Sequence, residues 1–174
     1  MTRAESEMAN GVPLDEQALL RQRAAALARR LDAVRTDAGV EHAAFRLARE
    51  RYAIELGALV QIFPLRDLAR LPGARPPLIG LTPWRGGLLR VIDLAVALGR
   101  PHSGIADQGR VLVIGDEDGR EFGILVDAVQ DVVALHADDV RSLAGEEVGA
   151  SLLRGVTRDA VLILDAPEML RRFG

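Results

Sequence analysis

Apolar and polar positions change their spacing near residue 40. Before it, Leu20, Ala24, Leu27, Leu31 and Val34 alternate steps of four and three, which places them on one face of a helix. Pro13-Leu14-Asp15-Glu16 opens that helix, with Asp15 as N-cap and Glu16 favourable in the first turn. It runs to about Asp37, and Gly39 is placed to end it. Arg21, Arg23, Arg29, Arg30 and Arg35 flank the seam. The seam covers about two heptads, short of the ~3–4 that argue for a coiled coil. It reads as a helix packed along its own domain, or as a seam for a partner helix or for self-association. Residues 1–12 are polar and read as disordered.

After His42 the pattern becomes that of strands. Residues 43–47 and 51–56 predict a hairpin turning at Ala48-Arg49-Glu50, and 59–63 a further strand. Pro64 and Pro72 bracket a loop with one helical turn over 65–71, and Arg75-Pro76-Pro77 is extended by proline geometry. The central stretch runs from Gly80 to Leu94: a glycine-led turn, then Arg85-Gly86-Gly87 as a tight turn or bulge, then 88–92 as a buried strand. Asp93 reads as an N-cap for one or two helical turns over 94–98, stopped by Gly99. Beyond a polar connection at 100–109, strands are predicted at 110–115, 120–126 and 131–135, with Asp118-Gly119 as the hairpin signal between the first two. Residues 136–150 are acidic and glycine-containing and read as a loop, with or without a helical turn. The last strands are 155–157 and 160–164, and Asp165 caps a final helix with Pro167 in its first turn.

A repeat underlies this order. Tyr52-Ala53-Ile54-Glu55-Leu56-Gly57-Ala58-Leu59 matches Phe122-Gly123-Ile124-Leu125-Val126-Asp127-Ala128-Val129, 70 residues on, and Gly80-Leu81-Thr82 matches Gly155-Val156-Thr157, 75 residues on. In both halves a strand, an aspartate and a short helix follow. Two related β units are predicted, each too small for a good core alone and so packed together.

Composition narrows the chemistry. Hydrophobic residues are 49%, charged ones 27%, and the net charge is −3, the profile of a soluble globular protein without a field to gather nucleic acid. Cysteine is absent, and all 22 basic residues are arginine. Thiolate sites and lysine chemistry are excluded. Residues 1–11 lack the apolar core of a signal peptide, and no run approaches the ~18 apolar residues of a membrane span, so a cytoplasmic protein without membrane insertion is expected. His42, His102 and His136 lie far apart with no metal-ligand spacing, and Ser103 beside His102 has no nucleophile-elbow pattern. No cofactor, metal site or catalytic residue is expected. Aromatics at 3% are few for stacking on single-stranded nucleic acid, the alternative ligand for a small β-barrel module.

Two neighbours remain. Trp84, the one tryptophan, is either turn packing or an interface anchor. Arg85 either pairs internally, with Asp93 or Glu55, or faces a partner; Trp and Arg are the favoured hot-spot types.

Four blocks in order resemble the CheW-like family, the coupling proteins of bacterial chemotaxis. They are Tyr52-Ala53-Ile54-Glu55-Leu56 with its hairpin, Gly80…Arg85-Gly86…Val91-Ile92-Asp93-Leu94, Phe122-Gly123-Ile124-Leu125-Val126-Asp127-x-Val129, and Gly155-Val156…Leu162-Ile163-Leu164-Asp165…Leu170. The resemblance covers about three quarters of the chain. It implies a mainly β fold of two packed SH3-like five-stranded barrels with short helices, here over residues 43–174, preceded by the helical extension 1–42. It also implies a non-enzymatic adaptor between methyl-accepting chemoreceptor tip helices and the regulatory domain of a CheA-type histidine kinase, recruited to the membrane receptor arrays of a chemotaxis system or of a parallel chemosensory one for pili or surface sensing. By position, Arg85, Leu59, Gly80, Leu88 and Gly123 would be groove or receptor-side residues, with Trp84 beside them. Pro83-Trp84 stands where the family usually has Asn-Leu, and Arg90 where it usually has proline.

Overall fold

The computed structural model describes residues 39–101, 109–143 and 149–174. The seam residues Leu20, Leu27, Leu31 and Val34 lie outside these, as do His102 and Ser103. The described elements run, in order, β1 (Val40–Leu47), β2 (Glu50–Glu55), β3 (Leu59–Pro64), β4 (Leu78–Trp84), β5 (Gly87–Asp93), α1 (Leu94–Ala97), β6 (Arg110–Gly115), β7 (Glu121–Val126), β8 (Ala128–Leu135), β9 (Val140–Arg141), β10 (Leu153–Thr157), β11 (Val161–Leu164) and α2 (Ala166–Phe173). The fold is mainly β.

The strands form two sheets, ordered β8-β1-β2-β11-β10-β9 and β3-β6-β7-β5-β4. The first has six strands rather than five, because the two-residue β9 adds to β10. The repeat is present but exchanged. The hairpin β1–β2 of the first half pairs with β8 and β11 of the second, and the hairpin β6–β7 of the second pairs with β3 and β5 of the first. The registers agree between halves: Val91 lies opposite Gly123 in the parallel pair β5–β7, and Ile163 opposite Ala53 in the parallel pair β11–β2. The two units are therefore interlocked, not merely packed side by side.

Alternation along each strand divides the apolar residues between two destinations. The largest cluster lies on one face of each sheet and takes in both helices: Phe45, Tyr52 and Ile54 from the first sheet, Leu112, Ile114, Phe122 and Ile124 from the second, and Leu94, Met169, Leu170 and Phe173 from α1 and α2. Phe122 meets Phe173 at 5.7 Å, tilted by 58°. The other faces curl round two small interiors. Leu89, Val111 and Val113 with Phe63, Leu65 and Trp84 fill the second sheet, and Ala53, Val161 and Ile163 with Leu135 and Val140 fill the first. In both, the edge strands contribute to the same cluster, so each sheet closes as a barrel.

The caps fall where the aspartates are. Asp93 accepts the Val96 N–H at 3.2 Å and Asp165 the Glu168 N–H at 2.8 Å, each quieting orphan donors at a helix start. Gly99 has φ 73° after α1. Away from the caps, Tyr52 is fully buried and donates to Glu50 Oε2 at 2.8 Å, while Arg100 pairs with the same carboxylate. Burial first, and the Glu50 bond second, push the Tyr52 hydroxyl well above the ordinary tyrosine range, against the opposing charge of Arg100.

Four local expectations are corrected. The helical turn at 65–71 is absent; the segment is irregular, and Ala69 bridges Leu81 with N–H···O distances of 2.8 and 2.9 Å. Residues 76–77 form a turn across a cis Pro76-Pro77 bond rather than an extended run. Gly80 is not a turn but sits inside β4. The strand over 88–92 is not buried throughout, since Leu88 and Arg90 are exposed. The loop that begins at His136 does carry a helical turn, the 3-10 element Ala137–Asp139, and β9 and a second such turn, Ala150–Leu152, follow it.

Candidate functional site

The β4–β5 hairpin ends in a two-residue turn. Trp84 and Gly87 pair across it, and Arg85 and Gly86 both have positive φ, 45° and 79°. That is the type I′ pattern, whose first position favours asparagine or glycine. An arginine there costs on the order of 1 kcal/mol of backbone strain.

Three side chains hold this arginine in place. Its Cζ lies 4.7 Å from the Trp84 ring centroid. The Phe63 ring stacks on the same indole at 5.5 Å and 17°. Glu121, at the start of β7, joins the set with both oxygens: Oε2 accepts from Trp84 Nε1 at 2.6 Å, and Oε1 from Arg85 Nη1 at 3.1 Å. Arg85 remains 59% exposed while Glu121 is 22% exposed. A cation–π contact at an exposed site is worth about 0.5–1 kcal/mol and a surface ion pair about 0–1 kcal/mol. The cluster thus fixes a geometry more than it stabilises the fold. Neither acid weighed from sequence is the partner of Arg85: Asp93 caps α1, and Glu55 pairs with Arg154.

The remaining predicted site residues are not gathered into one patch. Leu88 is 68% exposed and lies opposite Pro83, so alternation puts it on the face of the hairpin away from Trp84. Leu59 is half-buried at the start of β3, in an open cleft of ≈470 Å³ that Val60, Gly115, Pro167 and Leu170 also line. Gly80 and Gly123 are buried, and each has an internal reason to be glycine. A Cβ on Gly80 would meet the Ala69 carbonyl oxygen at 2.4 Å, and one on Gly123 would meet Val111 Cγ1 at 2.7 Å inside the barrel.

Sequence reading missed Glu121 and Phe63. Glu121 is 36 residues from Arg85 and follows the Asp118-Gly119 turn, so nothing local marks it. Phe63 carried a faint signal: it lies 70 residues before Val133, and the registers place Phe63 opposite Val111 and Val133 opposite His42. An aromatic therefore stands where the other half has valine. Among the described residues, no three His, Cys, Asp or Glu side chains gather as a metal site, and no helix is long and apolar enough to cross a membrane.

Comparison with known proteins adds the following. A family model described as the CheW-like domain matches residues 41–173. The chemotaxis protein CheW of Bacillus subtilis (strain 168) is 32% identical over 98 residues, 56% of this chain and 62% of that protein. Its counterpart in Klebsiella aerogenes is 30% identical over 104 residues, 59% of this chain and 61% of that protein. The chain spans about six-tenths of the length of these curated relatives. Among solved structures, scaffolding protein TtCheW from Thermoanaerobacter tengcongensis superposes with a TM-score of 0.64 at 20% identity, covering 73% of this chain and 89% of that one; the likeness is one of fold.

Proposed function

The chain belongs to the CheW-like domain family, and from that premise we propose that it is a non-enzymatic coupling adaptor. It joins the cytoplasmic tips of chemoreceptors to the regulatory domain of a CheA-type histidine kinase, and works in the cytoplasm beside membrane receptor arrays. The observation that carries this is the family match over residues 41–173, which takes in both helices and all of the described strands except Val40, the first residue of β1. Arg85 and Trp84 are the receptor-side contacts in this reading, with Leu59 in the cleft and Leu88 on the opposite hairpin face. Gly80 and Gly123 serve by shaping the barrel that presents them. The helical extension, with its seam Leu20, Leu27, Leu31 and Val34, is a separate contact element.

A module for single-stranded nucleic acid draws no support. Stacking on bases needs open ring faces. Phe45, Tyr52, Phe122 and Phe173 are buried, and Phe63 and Trp84 stack on each other.

The test is reconstitution from three purified parts: this chain, a chemoreceptor tip domain and the kinase regulatory domain. The expected result is a complex in which the chain binds each partner and the receptor is retained on the kinase only when the chain is present. A chain that binds neither partner, or binds single-stranded oligonucleotides in a salt-dependent manner instead, rules the reading out.

A further inference from the structure

We propose that Glu121 is a positioning residue for partner recognition: with Trp84 it holds the Arg85 guanidinium so that its outer edge can take a carboxylate from a receptor helix. The inference rests on the adaptor reading for the identity of the partner, but its geometry does not.

Three observations carry it. First, Glu121 is used up internally. One oxygen takes the indole N–H at 2.6 Å and the other Arg85 Nη1 at 3.1 Å, so the indole pins the carboxylate and the carboxylate pins the arginine. Nη1 is the one guanidinium nitrogen of Arg85 with an acceptor among the described residues. The side chain is 59% exposed and lies over an aromatic plane, and a planar fork with donors to spare matches a carboxylate in two-point geometry.

Second, the backbone argues against arginine at this turn. Arg85 at φ 45° occupies a position that asparagine would fill with less strain. A residue kept there for folding alone would be a poor choice, so the side chain must serve something the fold does not need.

Third, the other half of the repeat closes the same hairpin without such a cluster. Six residues separate Thr82 from Leu89, but only three separate Thr157 from Val161. There Thr157 Oγ1 accepts the Val161 N–H at 3.1 Å and closes the turn. The Pro83–Leu88 stretch is thus three residues longer than its counterpart, and its aromatic stack and pinned cation are an addition to the common plan.

The test compares the full chain with Glu121→Gln, Trp84→Phe and Arg85→Asn. Four quantities are measured for each: affinity for a chemoreceptor tip domain, affinity for the kinase regulatory domain, melting temperature, and 15N relaxation of the Arg85 Nε–H. Glutamine keeps the shape and can still accept from the indole, but loses the charge that fixes the guanidinium. Glu121→Gln is expected to weaken tip binding by about fivefold to tenfold, leave kinase-domain binding unchanged, and turn the Arg85 Nε–H from ordered to mobile. Trp84→Phe keeps the stack and loses the N–H, and should act in the same direction. Arg85→Asn should lose about thirtyfold or more in tip binding, as for a hot spot, with a melting temperature equal to or above the parent's.

The inference is overturned if Glu121→Gln binds the tip like the parent, or if the Arg85 Nε–H is equally ordered in both. It is also overturned if Arg85→Asn melts well below the parent and loses both partners together, the mark of a structural ion pair. A parent chain that binds no tip domain overturns the adaptor reading and the partner half of this inference. In that event, an Nε–H ordered in the parent and mobile in Glu121→Gln still upholds the positioning half.

Discussion

Alanine at position 80 puts a methyl group into space that is already filled. An ideal Cβ there lies 2.4 Å from the Ala69 carbonyl oxygen and 3.1 Å from its carbon, where contacts under 3.0 Å essentially never occur. The obstacle is backbone, so no side chain can rotate away. The 65–71 segment must withdraw by several tenths of an ångström at least, which breaks the two Ala69–Leu81 hydrogen bonds of 2.8 and 2.9 Å. Each is worth about 1 kcal/mol net, and residual strain adds to that. Against it stands the ordinary gain of Gly→Ala from a less flexible unfolded chain, about 0.4–1 kcal/mol. The net loss is about 2 kcal/mol, a fall of roughly 6–8 °C in melting temperature for a body of this size. Gly57 is the control: nothing lies within 4 Å of a Cβ there and its φ is not left-handed, so Gly57→Ala should melt within about 1 °C of the parent or slightly above. The assay is calorimetry on the full chains, with tip-domain binding measured in parallel. If Gly80→Ala melts with the parent yet loses tip binding, Gly80 is a contact residue and the close-approach argument is wrong.

Three further outcomes are expected. The Tyr52 hydroxyl titrates higher folded than unfolded, so its contribution is whole below the unfolded value near pH ~10 and is lost as pH rises through the folded one; melting temperature should fall above about pH 10, and Tyr52→Phe should flatten that limb in a pH series of melts. A chain shortened to begin at Gly39 should still unfold cooperatively by circular dichroism and remain soluble, and aggregation would instead place the extension in the core. Leu27→Glu with Leu31→Glu should weaken assembly in sedimentation experiments while moving the melting temperature of the β body little, because an apolar seam of that kind needs a cover; a large thermal loss would put the seam against the barrels.

Much of this fold was legible along the chain, and the unread parts share a physical cause. Strand positions followed from period-2 spacing, and Asp93 and Asp165 announced their caps. The two glycine landmarks, Gly80 and Gly155, proved to mark equal events: a Cβ on Gly155 would meet the Arg141 carbonyl oxygen at 2.4 Å, the same distance as that from Gly80 to Ala69. Both glycines let a third segment lie against an edge strand. From sequence alone a glycine signals a turn and a close approach equally, which is why Gly80 reads as the former. The 65–71 segment misleads for a related reason. Leu65, Leu68 and Leu71 have helical spacing, but the tertiary demand for a partner at the β4 edge overrides it. Arg85 was visible as an anomaly, yet its partner was not, because Glu121 reaches it only once β7 pairs with β5 of the hairpin.

The exchange of hairpins is the feature no local pattern could reveal, and it bears on how an adaptor of this build would transmit a signal. Pairing of β1–β2 with β11 and of β6–β7 with β5 depends on which edges remain open after each half has formed its own turns, not on any residue's preference. Once made, the exchange ties the barrels together by backbone ladders and by one apolar cluster shared between both sheets and both helices. Rotating one barrel against the other would break that cluster, whose large residues each contribute about 1.5–3 kcal/mol by burial. Hinge motion between the barrels is therefore costly within this body. On the proposed reading, what would differ between bound states is the set of surfaces the rigid body engages: the clamped Arg85, Leu88 on the opposite hairpin face, and the cleft at Leu59. On the proposed adaptor reading, coupling would come from holding two partners at a fixed separation, and a variant that loosens one surface should change occupancy at that surface without changing affinity at the others.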